Sequence, residues 1–470
     1  MRGTRGRFFS RLLLIAFATL TAACTGPLCD LTACDIRQTS CQQQLARATA
    51  CLLDQPPLDI PVTTITRSQL RASMVSEVER TDLVREQLRL QGLGFLNLAN
   101  PAITPQEAAR FQADFIGAFY DRRNKGITVV VEDGNQAGTQ ADRPLDGPYV
   151  PLLVHEFTHA IQDHLGRLDF PRADGDGSYD RFFARGALVE GEASLNESRA
   201  ALALTNHDPY HVVWQPVLDR LQTEGATWVA TSPVPVDFAY SGFVYPFGLE
   251  VMRDVFRDHR SLGLTDVWEH PPTTARQVQQ WPAPQPSAED LGADAIPVVA
   301  RPNTLIETDR MGAFVFLNYL MRLPPRFADP FRAPPRPRRE LMDLAEQLQG
   351  DQLSLFRLES PTGPLAFAVW RLRFATPEIA LSVASFLSLP SSNPNERRFL
   401  SGRDVILLGS PGGLVSDITG WRLETFAPIA PASAPGRHAH APALPYRPRT
   451  SAGSRLFCPR PGFLANEPAL

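Results

Sequence analysis

The stretch from Leu152 to His164, LLVHEFTHAIQDH, constrains this chain more than any other. Leu152, Leu153, Val154, Phe157, Ala160, Ile161 and Leu165 give it apolar faces at helical spacing, Pro151 stands near its start, and Gly166 is placed to end it. His155 and His159 lie four residues apart, so on a helix both imidazoles point the same way, with Glu156 turned one position aside. Two imidazoles and a carboxylate in that order suit metal-assisted hydrolysis: two ligands, and a base that takes a proton from an activated water. The pair is incomplete without a third ligand from elsewhere in the chain.

The rest of the composition sets the frame. A chain of 470 residues with 43% hydrophobic content can bury a large core and is expected to split into two domains. The net charge of -4 comes from 46 basic and 50 acidic residues spread along the chain; no basic stripe forms, which argues against a nucleic-acid partner. Residues 1–23 have the order of a secretory signal peptide: arginines at 2, 5, 7 and 11, the apolar run Leu12 to Leu20, then small residues. The sequence LTAAC resembles a bacterial lipobox, which implies a lipid anchor on Cys24 and a place in the cell envelope; simple secretion is the alternative. Cysteines 29, 34, 41 and 51 follow closely and Cys458 lies near the far end, so disulfides rather than a metal cluster are expected, with the connectivity open.

The expected class is α+β. After a Cys-rich segment at 24–59, ending in the proline-rich link DQPPLDIPVTT, residues 60–285 read as mainly helical with one clear strand, GITVVVED at 126–133. Residues 286–422 read as a small α+β unit, and 423–470 as a Pro/Ala-rich tail without a fold of its own. The aspartates at 169, 174, 176 and 180 suit turns and helix capping better than calcium, HAH at 438–440 reads as an exposed tail, and PPRPRR as a linker.

The third ligand is sought in RFFARGALVEGEASLNESRAL, a second helix with Ser178 as its cap. Glu190 shares a face with Gly186, Ala187, Ala193 and Ser194, small residues that let this helix pack close to the first. Glu192 lies about 200° around the helix, so only one of the two can point at the ion. Glu190 is the preferred ligand, and Glu192 is read as a salt-bridging surface group.

His155-Glu156-Phe157-Thr158-His159 followed by Glu190-Gly191-Glu192-Ala193 resembles the gluzincin zinc metallopeptidases over roughly residues 110 to 285. The resemblance implies Zn2+ held by His155, His159 and Glu190, Glu156 as general base, and a peptide or protein substrate. HEFTHAIQD is also similar to the thermolysin active-site helix, which implies that Asp163 orients His159. DFAYSGFVYPFG matches the tyrosine region of the aminopeptidase N family, which implies that Tyr245 stabilises the oxyanion. Tyr240 is the alternative donor, and His211 and His270 are others that no motif places. The G-x-M-E-N signature of aminopeptidase N relatives is absent, so an endopeptidase is expected rather than an aminopeptidase. YPFGLEVMRDVF and WEHPPTTARQVQQWP look like a group of bacterial envelope gluzincins, with Arg276 and Trp281 replacing their Glu and His. In related proteases the strand before the zinc helix borders the cleft and can take a peptide by strand addition; for GITVVVED an interior position in a small sheet is equally open. A non-catalytic envelope protein that uses the fold as a binding scaffold is the rival from another class.

Overall fold

The computed structural model describes Cys29 and residues 31–133, 145–169, 178–205, 214–281, 305–322, 339–359, 363–387, 395–411 and 455–459. Signal segment, Cys24, His211, Asp174, Asp176, residues 334–338 of PPRPRR and HAH lie outside the described residues.

The class is α+β. In chain order the first elements are α1 (Thr39–Leu52), β1 (Val62–Thr66), α2 (Arg67–Glu79), α3 (Leu83–Phe95), α4 (Pro105–Ala113), β2 (Ile116–Asp121) and β3 (Gly126–Val131). There follow α5 (Tyr149–His164), α6 (Tyr179–Leu204), α7 (Trp214–Thr231), α8 (Pro235–Glu269) and α9 (Ala275–Gln279). The remainder comprises β4 (Leu305–Asp309), α10 (Gly312–Arg322), α11 (Arg339–Glu346), β5 (Leu348–Leu358), β6 (Leu365–Phe374), α12 (Pro377–Leu387), β7 (Glu396–Ser401), β8 (Asp404–Gly409) and β9 (Arg455–Pro459).

One sheet has the order β1-β3-β2-β9, with β1 and β3 parallel and the other pairs antiparallel. Alternation, interrupted by an irregularity between Ile116 and Ala118, decides its two faces. Ala118, Tyr120, Ile127, Val129 and Val131 meet α5 and α1 in one core, while Ile116, Phe119 and Val130 pack with Leu70 of α2 in another. β3 is thus interior, flanked by β1 and β2, and the edge-strand reading of GITVVVED is corrected. Its β-branched run fits a strand covered on both faces. The tail reading of 423–470 is also corrected at one point: residues 455–459 form β9 and pair with β2.

Disulfides Cys29–Cys51 and Cys34–Cys41 tie the segment before α1 to that helix, and α1 packs on α5. The Cys-rich segment therefore belongs to the site's supporting core.

The second sheet, β4-β5-β6-β8-β7, is antiparallel throughout. Its inner face does not close a core of its own. Leu355, Ala368, Trp370 and Leu407 share one cluster with Leu90 and Leu93 of α3, Phe183 and Leu188 of α6, Phe243 of α8 and Phe316 of α10. The boundary expected near residue 285 separates two stretches of sequence but not two cores. Polar contacts reinforce the join at the start of α6: Tyr179 N donates to Asp309 (2.9 Å), Asp180 N to the Arg310 carbonyl (3.1 Å), and Ala275 N to Asp180 (2.9 Å). Arg89 of α3 bridges Glu307 (3.1 Å) and the Tyr179 hydroxyl (2.5 Å). The C-terminal unit thus fixes where α6 begins, and α6 carries Glu190.

Candidate metal centre

α5 ends as its sequence dictates, with Gly166 at φ +71°, a conformation that L side chains seldom adopt. α6 starts at Ser178, whose hydroxyl accepts from Arg181 N (3.3 Å). The two helices lie antiparallel. His155 meets Glu197, Thr158 meets Asn196, and Gln162 meets Val189 and Glu192. This crossing brings His155, His159 and Glu190 together, with one ligand atom of each within 4.8 Å of the others. Glu190 Oε2 lies 3.2 Å from His155 Nε2 and 3.4 Å from His159 Nε2. Glu156, directly beside them, is also completely buried.

The small residues of α6 serve a different neighbour than expected. A Cβ at Gly186 would sit 2.6 Å from the Tyr240 ring and hydroxyl, and one at Gly191 would sit 2.3 Å from the backbone of Gly248. Both partners are on α8, so these glycines let α6 pack close to α8, while Glu190 reaches the histidines of α5.

Burial alone would push the Glu190 carboxyl up, but the adjacent His159 and His155 outweigh it and bring it down to about 2. The Glu156 carboxyl goes the other way. Burial pushes it well above the ordinary range, His155 opposes this, and the charges of Glu190 and Glu197 add to it. Two carboxylates with opposed tendencies suit one ligand and one proton acceptor.

The atoms left over test whether a metal fits. His159 Nε2, Glu190 Oε1 and both Glu156 oxygens are buried without a hydrogen-bond partner among the described residues. Orphaned polar atoms of this kind are costly and rare, and four of them converge here. Two imidazole nitrogens and one carboxylate form the donor set of a catalytic zinc site with a position left open. The residues fit the ion.

Several expectations change. Asp163 does not reach His159: its carboxylate accepts from the Tyr120 hydroxyl (2.8 Å), from Arg122 (3.0 Å) and from Lys125, the chain's only lysine. The group that faces His159 Nδ1 is Gln162 Oε1, at 2.8 Å, and His155 Nδ1 faces Glu197 at 2.9 Å. Sequence spacing holds the clue to both. Gln162 is three residues past His159 and Glu197 seven past Glu190, each on its neighbour's helical face. Glu192 turns away from the metal atoms as the 200° argument requires, but it is buried, held by Gln162 (2.9 Å) and Arg167 (2.9 Å). Asp169 pairs with Arg122 while Asp180 holds Ala275, so the described aspartates of that loop serve different contacts.

Asp163 therefore anchors the β2–β3 hairpin to α5. Burial raises its carboxyl, but the bonds from Lys125, Tyr120 and Arg122 outweigh this and leave it below 3.8. A lowered folded value means stability that is present above 3.8 and lost as pH falls through the folded value. Asp163→Asn should cost about 3 kcal/mol in urea unfolding at pH 7 and flatten the acid loss, with zinc affinity unchanged. A drop in zinc affinity without loss of stability would return Asp163 to the histidine.

Of the candidate oxyanion donors, Tyr245 is buried with its ring 6.2 Å from the His155 ring. Tyr240 stacks on Phe182 at 4.7 Å, and burial, then the charge of Glu190, push its hydroxyl's pKa up. Both stand on α8 beside the ligand cluster. His270 is exposed at the end of α8, with its ring 3.6 Å from Asp266 and outside the buried group. Arg276 lies in α9 and Trp281 just beyond its end.

Compared with known proteins, the chain matches no family model, no curated protein and no solved structure.

Proposed function

We propose that this protein is a zinc-dependent peptidase of gluzincin type, an endopeptidase acting on peptide or protein substrates in the bacterial cell envelope. The observation that carries the reading is the convergence of His155, His159 and Glu190 within 4.8 Å, with Glu156 buried and unpartnered beside them. A zinc ion held by the three ligands would supply Lewis acidity to water and to the scissile carbonyl. Glu156 takes the proton from the attacking water and passes it to the leaving amine; its burial raises its affinity for that proton. Tyr245 donates a hydrogen bond to the oxygen that becomes negative as the carbonyl is attacked. Glu197 and Gln162 hold the imidazoles in place from behind.

Export, with a lipid on Cys24, completes the reading. The two disulfides support an oxidising compartment. None of the described helices is long and apolar enough to cross a membrane.

The test is cleavage of a mixed peptide library by the zinc-loaded protein, with free and blocked amino termini. Internal cuts that survive blocking are expected. Cuts confined to free amino termini would replace the endopeptidase by an aminopeptidase, and zinc binding without turnover would favour the scaffold. Tyr245→Phe should lower kcat by about 10^2-fold with KM little changed. If Tyr240→Phe shows that loss and Tyr245→Phe does not, the donor is Tyr240.

A further inference from the structure

Behind the ligand histidines, α5, α6 and the turn after α5 contribute a buried polar chain. Arg167 Nη1 donates to both oxygens of Glu192, at 2.9 and 3.2 Å. Gln162 Nε2 donates to Glu192 Oε2 (2.9 Å) and to the Val189 carbonyl (2.9 Å). Gln162 Oε1 then faces His159 Nδ1 at 2.8 Å. Gln162, Glu192 and His159 are all buried, and the Arg167 guanidinium lies 5.2 Å from the centre of the Trp268 ring.

The polarity of this chain is forced from one end to the other. An ionised carboxylate and a peptide carbonyl can only accept, so the Gln162 amide must turn its NH2 to them and its oxygen to His159. An oxygen can only accept as well, so the proton of neutral His159 must be on Nδ1. The lone pair is then on Nε2, which looks into the site and lies 3.4 Å from Glu190 Oε2, the arrangement that a metal ion held by both atoms would need.

We propose that Gln162, oriented by Glu192 and Arg167, is the positioning residue that sets the tautomer and direction of His159 for metal binding. The inference rests on the zinc reading of the site. It also distinguishes the two histidines: His155 leans on the carboxylate of Glu197, His159 on a neutral amide. A carboxylate behind an imidazole makes it the stronger donor, so His159 is the weaker ligand of the pair.

The experiment labels the histidines of the whole protein with 15N and reads their tautomers, metal-free, by long-range proton–nitrogen correlation. Zinc affinity is measured alongside by chelator competition. In the parent, His159 should carry its proton on Nδ1; an Nε2 proton there overturns the proposal without any variant. Gln162→Met keeps the length and bulk of the side chain but removes the acceptor. It should let the Nε2–H form appear and weaken zinc binding by about 10–100-fold. Gln162→Glu still accepts from His159, so it should retain the Nδ1–H form and bind zinc more tightly than Gln162→Met, although it places two carboxylates together and lowers stability. A role in packing alone predicts the reverse order, with Met near the parent and Glu the worse, and that result rejects the proposal. A parent with the Nδ1–H tautomer that fails to bind zinc would remove the zinc reading and leave the positioning chain standing.

Discussion

Glu156→Gln should reduce peptide hydrolysis by about 10^2–10^4-fold while the protein still takes up zinc. The substitution keeps the size of the side chain and removes only its capacity to take a proton. Glu156 is completely buried, and what favours its charge there, the attraction of His155 and the backbone N–H of Tyr120, is outweighed by the cost of burying it. Because burial penalises the carboxylate, the neutral amide should leave stability unchanged or raise it. Loss of activity with equal or greater stability is the pattern of a base, since a group kept for the fold would lose both together. Full activity in the variant would remove Glu156 from the chemistry and leave the metal cluster without its proton acceptor.

Gly191→Ala should cost more than about 3 kcal/mol and prevent stable folding, although the added group is a single methyl. The new Cβ would lie 2.3 Å from the carbonyl carbon and oxygen of Gly248, which are backbone atoms and cannot rotate away. Gly248→Ala should fail for the same reason, its Cβ lying 2.1 Å from the Ala187 carbonyl oxygen. Both contacts hold α6 against α8 next to Glu190, so any folded fraction should also bind zinc more weakly. Expression yield, circular dichroism and urea unfolding measure the effect. A Gly191→Ala protein of parental stability would mean that α6 and α8 are further apart than described.

The grouping of His155, His159 and Glu190 was legible because its parts are local. His155 and His159 are one helical turn apart, Gly166 and Ser178 mark real helix ends, and the angular argument separated Glu190 from Glu192. What was not legible depends on partners distant in sequence. Asp163 was assigned to His159 by motif, yet Tyr120, Arg122 and Lys125 reach it from a hairpin about 40 residues away, which nothing in the helix reveals. The small residues beside Glu190 announced a close approach but could not say to which helix. Glu192 looked like a surface group because its partners, Gln162 and Arg167, become visible only once α5 and α6 are known to be antiparallel. Four clustered cysteines allow three pairings, so their connectivity had to come from the fold. The break near residue 285 was read from proline content and falls outside the described residues; the core shared across it is made by contacts such as those of α3 with β5 and β6, which no local pattern carries.

The most direct measurement is the zinc content and affinity of the purified parent beside His159→Ala and Glu190→Ala. One zinc ion per parent chain, retained through gel filtration, is expected, with that ion lost from both variants while they remain folded. A folded parent that binds no zinc, or variants that bind it as the parent does, would contradict the assignment of His155, His159 and Glu190 as the ligands.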